Sequence, residues 1–280
     1  MTLQNTTLKH YLRRHIALPA EHGAWVFILS PLLIGLVTGG KWKPAVIFLI
    51  VAALAAFLIR QPIMIAVKSY SGRRSSRDLP AAWLWMAVYA FMITGSIARL
   101  VLSGYTYILY LAIPGIPVFL WHLYLVSKRA ERRQVGVEIV ASGVLALTAT
   151  AAYWVAVGDP QPTGWLLFIL CWMQSAASIV YAYLRLEQRE LSSLPNQAQK
   201  ISMGSRTLLY TSFNLVGITL LAYFAILPRL LPLAFAIQWL EAIWGTFYPA
   251  IGWKPTRIGL RQLVISIFFT LLFILAWKFS

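Results

Sequence analysis

Glutamate and histidine side chains beside or within long apolar runs are the residues of this sequence most able to do chemistry. Glu21 and His22 stand next to each other before one such run, and Glu241 lies inside another. An ionisable group in hydrocarbon costs roughly 2.5–3.5 kcal/mol on insertion scales, so each is a functional candidate. We expect Glu21, His22 and Glu241 to act as acids or bases. A helix-capping role for Glu21 and His22 stays open, because an acid is favourable at a helix amino terminus.

A second set of polar residues falls at a similar depth in the apolar runs and could bind a substrate with an anionic head. Arginine suits such a head because its planar guanidinium donates two parallel hydrogen bonds to phosphate or carboxylate. We expect one cavity, open to the cytoplasm, to gather these side chains. The candidate substrate-binding residues are Arg60, Gln61, Lys68, His122, Glu138, Tyr181, Arg185, Asn214 and Gln238.

Two alternatives remain at these positions. Arg60 could instead extend toward the lipid headgroups, or pair with Glu241 or Glu138. His22 and His122 have similar predicted depths, which leaves haem ligation open. The sequence has no glycine-rich phosphate loop, zinc-binding helix motif or nucleophile elbow.

The composition excludes an ordinary soluble domain. Hydrophobic residues make up 60% of the 280 residues and charged residues 11%, against about 25% charged in soluble domains. The net charge of +16 comes from short basic clusters between apolar runs, a pattern typical of membrane proteins rather than nucleic-acid binders. Cys171 is the single cysteine, which excludes a disulfide framework within the chain.

A bilayer-crossing helix needs roughly 20 mostly apolar residues, and the chain contains nine such windows between turn signals. The sequence therefore predicts an all-α, polytopic helical bundle in one transmembrane domain, after a cytoplasmic segment over residues 1–23. The eighth window contains Pro232, Gln238 and Glu241, so a broken or re-entrant segment is an alternative there. The windows are 24–40, 44–67, 81–102, 106–127, 137–157, 164–184, 207–227, 230–247 and 262–278.

The basic residues predict the orientation of this bundle. Nine spans place 18 of the 24 lysines and arginines on the side of the amino terminus and four on the other side. Lys and Arg collect on the cytoplasmic side of membrane proteins. We therefore expect the amino terminus inside and the carboxyl terminus outside.

One stretch, Leu18-Pro19-Ala20-Glu21-His22-Gly23-Ala24-Trp25 followed by Pro31 and Gly35, resembles the opening signature of the YwiC-like family of bacterial integral membrane proteins. Further matching features are Arg60-Gln61-Pro62, the basic loop before Glu138, Tyr181 with Arg185, and Lys254-Pro255 through Ile258-Gly259. The resemblance implies a multi-pass protein of the bacterial cytoplasmic membrane and no particular reaction.

The predicted architecture is also similar to the UbiA-type prenyltransferases, which hold a prenyl diphosphate through magnesium on two aspartate-rich motifs. Here the only acid after the second span is Asp78, and Glu187 and Glu190 alone follow the sixth. Magnesium and other hard cations need several oxygen ligands. A magnesium-diphosphate site is therefore not supported, no metal is predicted, and the cofactor is unknown. An anionic head would have to meet Arg60, Lys68 and Arg185 directly.

Three classes of function remain open. The favoured one is an intramembrane, transferase-like enzyme whose isoprenoid or lipid-like substrate has its anionic head in the cytoplasm-facing cavity. The alternatives are a non-catalytic assembly or cofactor-binding subunit and a small-molecule transporter. The predicted partner is the lipid bilayer, no nucleic acid is expected, and protein partners are unknown.

The orientation predicts the behaviour of reporter fusions. Alkaline phosphatase fused after Ser280 should be active, because it folds only outside the cytoplasm, whereas a fluorescent protein fused there should stay dark. Fusions truncated at Asn196, in a predicted inside loop, should show the opposite pattern. A fluorescent carboxyl-terminal fusion would contradict an odd number of spans with the amino terminus inside.

Overall fold

The computed structural model describes residues 14–19, 22–130 and 134–279, and these residues form helices and short turns without any strand. Nine of their helices have 14 or more residues, one for each predicted window, which confirms the all-α fold class. In chain order they are α1 Val26–Gly39, α2 Ala45–Tyr70, α3 Leu79–Leu102, α4 Ala112–Ser127, α5 Val135–Val157, α6 Pro162–Gln188, α7 Gln197–Tyr223, α8 Pro232–Phe247 and α9 Pro255–Lys278.

Local sequence signals set the ends of these helices. Proline begins α6, α8 and α9, where its missing N–H is no loss and its fixed φ suits a first helical turn. Gly40 and Gly158 end α1 and α5 with φ of 69° and 97°, which a residue without Cβ adopts at little cost. A capping box between Asn196 and Gln199 starts α7.

Two helices begin more than one turn earlier than the windows predicted. The capping box places the start of α7 at Gln197 rather than residue 207, and Pro255 places the start of α9 ahead of residue 262. The polar residues in these added turns had excluded them from an apolar window. As a result, Arg261 lies inside a helix rather than in a loop.

Six helices of the described chain, α2 to α6 and α9, are long and apolar enough to cross a bilayer. The segment Gly23–Gly39, which includes α1, is apolar but shorter. Helix α8 runs unbroken for 16 residues, about 24 Å at 1.5 Å per residue, which is less than the roughly 30 Å hydrocarbon core. The nine crossings and their orientation stay predictions.

Helices α5 and α6 form the centre of the bundle. Helix α1 packs on α5, and α6 contacts α1, α5, α7, α8 and α9. Helices α2 and α3 pack against each other, and α2 joins the rest mainly through α5. Within the candidate span that contains α4, only 6% of the apolar window is buried in the protein. The most interior position therefore belongs to α6, which is also where polar side chains are most costly to leave without partners.

Glycine allows α1 to lie close to α5. A Cβ at Gly35 would stand 2.2 Å from the Ala149 carbonyl oxygen, and one at Gly39 would stand 2.5 Å from the Ala156 Cβ. Small residues at helix contacts are the usual route to tight packing in membranes, where lipid tails remove the hydrophobic drive for helices to associate.

The close α1–α5 contact predicts that Gly35→Leu destabilises the bundle. Overpacking costs about 1–3 kcal/mol, and the Ala149 carbonyl oxygen belongs to the backbone and cannot rotate away. Thermal unfolding of the purified variant in detergent should show a lower midpoint. Gly95→Leu is the matched control, because nothing lies within 4 Å of a Cβ there. Equal midpoints for the two variants would contradict this packing.

Candidate functional site

One face of α6 carries a row of buried polar residues. Their spacing of four, three, four and three residues keeps them on a single helix face. None is more than 5% exposed. We call this row, together with Gln238 and Glu241 of α8 and Arg261 and Gln262 of α9, the polar seam. The α6 members are Gln174, Ser178, Tyr181, Arg185 and Gln188.

The seam pairs α6 with α8 in the same direction along both helices. The Gln174 Nε2 donates to the Gln238 Oε1 at 3.2 Å, and the Tyr181 hydroxyl donates to the Glu241 Oε1 at 2.6 Å. Further along both helices, the Gln188 Nε2 donates to the Gly245 carbonyl at 2.9 Å. Because the order of partners is the same in both helices, α6 and α8 run parallel, toward the end of the bundle that carries the basic clusters. We call this the basic end.

A buried ion pair lies at the middle of the seam. Arg261 donates from Nη2 to the Glu241 Oε2 at 2.8 Å and from Nε to the Oε1. The Glu241 side chain is 5% exposed and that of Arg261 is 36% exposed. The Arg261 guanidinium also lies 3.7 Å from the centre of the Trp244 ring, a cation–π distance. Two-point hydrogen bonding fixes the carboxylate in position, and the Tyr181 hydroxyl holds one of its oxygens from the other side.

Arg185 is a buried cation that forms no ion pair with any carboxylate of the described residues. It is 1% exposed, and its Nη1 lies 2.7 Å from the Gln188 Oε1, 2.8 Å from the Gly245 carbonyl oxygen and 2.7 Å from that of Tyr248. These carbonyls belong to the carboxyl-terminal end of α8, where backbone acceptors lack helical partners and the helix dipole favours positive charge. Arg185 and Arg261 thus share one carboxylate, which leaves the seam with a net positive charge.

Gly245 is required for the contact between Tyr181 and α8. A Cβ on Gly245 would stand 2.4 Å from the Tyr181 hydroxyl oxygen. Any larger residue would therefore push the phenol away from Glu241.

An open groove adjoins the seam on the outer side of α9. It has a volume of about 390 Å³ and is lined by Trp253, Arg257, Leu260, Arg261, Val264 and Ile265. The Arg257 guanidinium lies 4.0 Å from the Trp253 ring centre. Arg261 belongs to both places, since it lines the groove and binds Glu241. The groove is basic at the end near Trp253 and apolar along Leu260, Val264 and Ile265.

The structure brings four of the sequence-predicted site residues into the seam, namely Tyr181, Arg185, Gln238 and Glu241. Glu21 lies outside the described residues, and of His22 only the backbone is described, in the 3₁₀ turn His22–Trp25 that packs against α9. A hydrogen bond joins the Ser30 and Thr270 hydroxyls. Because α1 and α9 both start at the basic end, this register sets the turn level with the part of α9 that carries Arg261 and Gln262.

The other predicted residues lie elsewhere, so the single cavity expected from the sequence does not gather them. The Gln61 Nε2 donates to the His15 carbonyl at 3.0 Å, and the Arg60 guanidinium lies 5.6 Å from the Phe57 ring centre. Lys68 lies in the last turn of the same helix, α2, and His122 is on α4. Helix α2 packs mainly on α3, and α4 packs mainly on α5 and α2.

Two further predicted residues contact α6 outside the seam. Glu138 accepts a hydrogen bond from the Tyr183 hydroxyl at 2.7 Å, and the Asn214 Nδ2 donates to the Met173 carbonyl at 3.1 Å. The partner of Glu241 is Arg261 rather than Arg60. Sequence reasoning missed Gln174, Ser178, Gln188, Arg261 and Gln262, although the four-and-three spacing in α6 would have identified the first three.

Metal binding finds no support in this geometry. Among the described residues, no three histidine, cysteine or acidic side chains come together as a metal site would need. The seam offers one carboxylate, and that carboxylate is already bound to Arg261.

Comparison with known proteins gives two matches. The family model described as "YwiC-like protein" matches residues 18–153. The chain is also 23% identical over 264 residues to "Uncharacterized protein YwiC" of Bacillus subtilis (strain 168), with 90% of this chain and 94% of that protein covered. No solved structure matches the chain. The family match ends within α5, ahead of the seam, whereas the alignment with YwiC extends well beyond it.

The ion pair predicts a specific pattern of stability. Arg261→Gln leaves the Glu241 carboxylate buried without its cation, which should lower the free energy of unfolding by about 3 kcal/mol. Adding Glu241→Gln should recover part of this loss, because the double variant buries no unpaired charge. Denaturation in detergent measures both, with Arg229→Gln, between α7 and α8, as the control. A double variant as unstable as the sum of the two singles would contradict the pairing.

Proposed function

We propose that this chain, which is similar to the YwiC-like protein family and carries helices fit to cross a bilayer, binds an amphiphile with an anionic head at the basic end and acts on it within the membrane. The substrate class is an isoprenoid or other lipid-like molecule. The reaction class is transferase-like, and the location is the bacterial cytoplasmic membrane with the basic end inside.

The charge imbalance of the seam carries this proposal. Arg185 and Arg261 have one carboxylate between them, and Lys254 and Arg257 add positive charge where α9 begins. A buried charge without a counter-ion is costly. An anionic head in the groove would neutralise this excess and would meet guanidinium groups suited to phosphate or carboxylate.

The shape of the groove supports an amphiphile rather than a small soluble anion. Its basic end near Trp253 and Arg257 is continuous with the apolar surface of Leu260 and Val264, both of which are exposed in the protein. A head bound at the basic end therefore leaves its tail along α9, in the lipid. Binding the head requires no entry path through the bundle.

Arg261 connects the groove to the seam, and this connection is the basis of the proposed acid–base chemistry. Arg261 binds Glu241 and faces the groove at the same time. A head that engages Arg261 competes with Glu241 for it, which frees the carboxylate to accept a proton from the bound substrate. The Tyr181 hydroxyl donates a hydrogen bond to Glu241 and orients the carboxylate. Glu241 is thus the proposed base and Tyr181 its partner, with Arg185 fixing α8 beside them.

The amino-terminal motif fits the same site. Its turn His22–Trp25 packs on α9 level with Arg261, so the proposed acid or base roles of Glu21 and His22 apply to a head in the groove rather than to a separate centre. Arg60, Gln61, Lys68 and His122 have no part in this mechanism.

Transport of a small molecule is the second candidate, favoured by the polar seam inside the bundle and by the shortness of α8. Short or broken helices that end near mid-membrane are common in transporter binding sites. A chemical product formed from a bound amphiphile would support the enzyme, and uptake into sealed vesicles without chemical change would support the transporter.

The proposal predicts that an anionic amphiphile remains bound to the gently purified protein. Native mass spectrometry with lipid extraction should detect it, and Arg257→Gln should weaken binding about tenfold, because a hydrogen bond to a charged group contributes about 1.5–3 kcal/mol. Lys200→Gln is the control, since Lys200 lies in the first turn of α7 and does not line the groove. Equal losses in both variants would indicate attraction to the whole basic end and would contradict a defined site.

A further inference from the structure

We call the part of the seam that contains Gln174, Ser178, Gln238 and Gln262 its inner half. This part contains more polar atoms than its own hydrogen bonds satisfy. The Gln174 Oε1, the Gln238 Nε2 and the Gln262 Nε2 are buried and have no hydrogen-bond partner. Their side chains belong to residues that are 5%, 1% and 7% exposed. An unsatisfied buried donor or acceptor costs about 1–3 kcal/mol, so three in one place indicate a missing partner.

Exchanging the amide oxygen and nitrogen positions does not remove the deficit. If both Gln174 and Gln238 are turned over, the single hydrogen bond between them reverses its direction and again leaves one atom of each amide unpaired. Turning over Gln262 keeps its contact with the Ser178 hydroxyl, now 2.7 Å from a nitrogen, and leaves the oxygen unpaired.

A small cavity lies beside the Gln174 amide, between α1, α6 and α9, and Gln238 and Gln262 do not line it. Its polar lining consists of Ser30, Gln174, Ser175, Ser178 and Ser266. Its volume is about 20 Å³, and a cavity needs roughly 10–15 Å³ on this measure to hold one water molecule. Polar walls and room for one water are the two conditions for an internal hydration site.

We propose that the inner half of the seam contains a hydration site, in which internal water occupies this cavity and completes the hydrogen bonding of Gln174. Water fits the chemistry because it can donate to the unpaired Gln174 Oε1 and can also bond the serine hydroxyls that line the cavity. No carboxylate lines the cavity to hold a metal cation, and an organic ligand exceeds the volume.

The hydrated seam links two parts of the bundle. At its inner end, the cavity reaches Ser30, whose hydroxyl bonds that of Thr270. Gln174 also donates a hydrogen bond to Gln238, which lies one helical turn from Glu241 on α8. The hydrated cavity is therefore connected through Gln174 to Gln238, one turn from the ion pair. This site does not depend on whether an amphiphile binds in the groove.

Cys171 provides a direct test, because it lines the cavity, is 3% exposed and is the only cysteine of the chain. Its S–H stretching band in the infrared spectrum therefore has a single source. After transfer of the folded protein into D₂O, internal water should convert S–H to S–D well before the α6 backbone amides exchange, as followed by mass spectrometry of the same sample. An S–H band that persists until those amides exchange would overturn the proposal.

Gln174→Met separates hydration from general loosening of the bundle. The replacement keeps the length of the side chain and removes the amide, so the water loses a partner and the thiol exchange should slow. Gln197→Met, on an exposed position at the start of α7, should leave the rate unchanged. If Gln174→Met speeds thiol and backbone exchange together, Cys171 exchanges by opening of the fold and the hydration site is wrong.

Discussion

The ion pair between Glu241 and Arg261 is the constraint around which the carboxyl-terminal half of the bundle is arranged. A carboxylate in a membrane interior has to be neutralised or paired, and Glu241 obtains both oxygen contacts from α9 and a third hydrogen bond from Tyr181 on α6. Three helices therefore meet at one side chain. The glycine at position 245, the aromatic ring of Trp244 and the early start of α9 all serve this meeting, since each permits or supports the approach of a partner.

The same constraint explains why Arg185 can be buried without an acid. The carboxyl end of α8 supplies free carbonyls at the point where α6 brings the guanidinium, and the rings of Trp244 and Trp253 lie 5.1 Å and 4.9 Å from it. Backbone acceptors and ring faces spread the charge but do not cancel it. The basic end thus combines a network of hydrogen bonds with an excess of positive charge, a combination suited to binding anions.

The general architecture was predictable from the sequence because hydrophobic length and turn residues determine it. All nine helices lie where apolar windows indicated, and Gly40, Gly158 and the proline starts mark their ends. The site was predictable only in part. Tyr181, Arg185, Gln238 and Glu241 were identified because polar residues in apolar runs are conspicuous. Arg261 was missed because it lies within the polar first two turns of α9, where composition alone resembles a loop.

The sequence predicts how deep each polar residue lies in the membrane. It does not predict which helices are neighbours in the bundle. Arg60 and Glu241 have similar predicted depths, yet α2 packs mainly on α3 and α5, whereas α8 packs on α7, α9 and α6. Which helices are adjacent is decided by contacts such as Gly35 against Ala149, where the absence of a side chain allows two backbones to meet. A single glycine in an apolar run carries no sign of the partner it will face.

The hydrogen bonds between the parallel helices α6 and α8 also fix the position of one helix along the axis of the other. Sliding α8 by one turn toward the basic end would place an alanine or phenylalanine opposite Gln174 and would carry Glu241 to the level of Arg185, away from Tyr181. The three pairs would be lost together, because each α6 side chain would then face a different residue of α8. We therefore expect α6 and α8 to move together, because a small shift of one along the other would break these pairs.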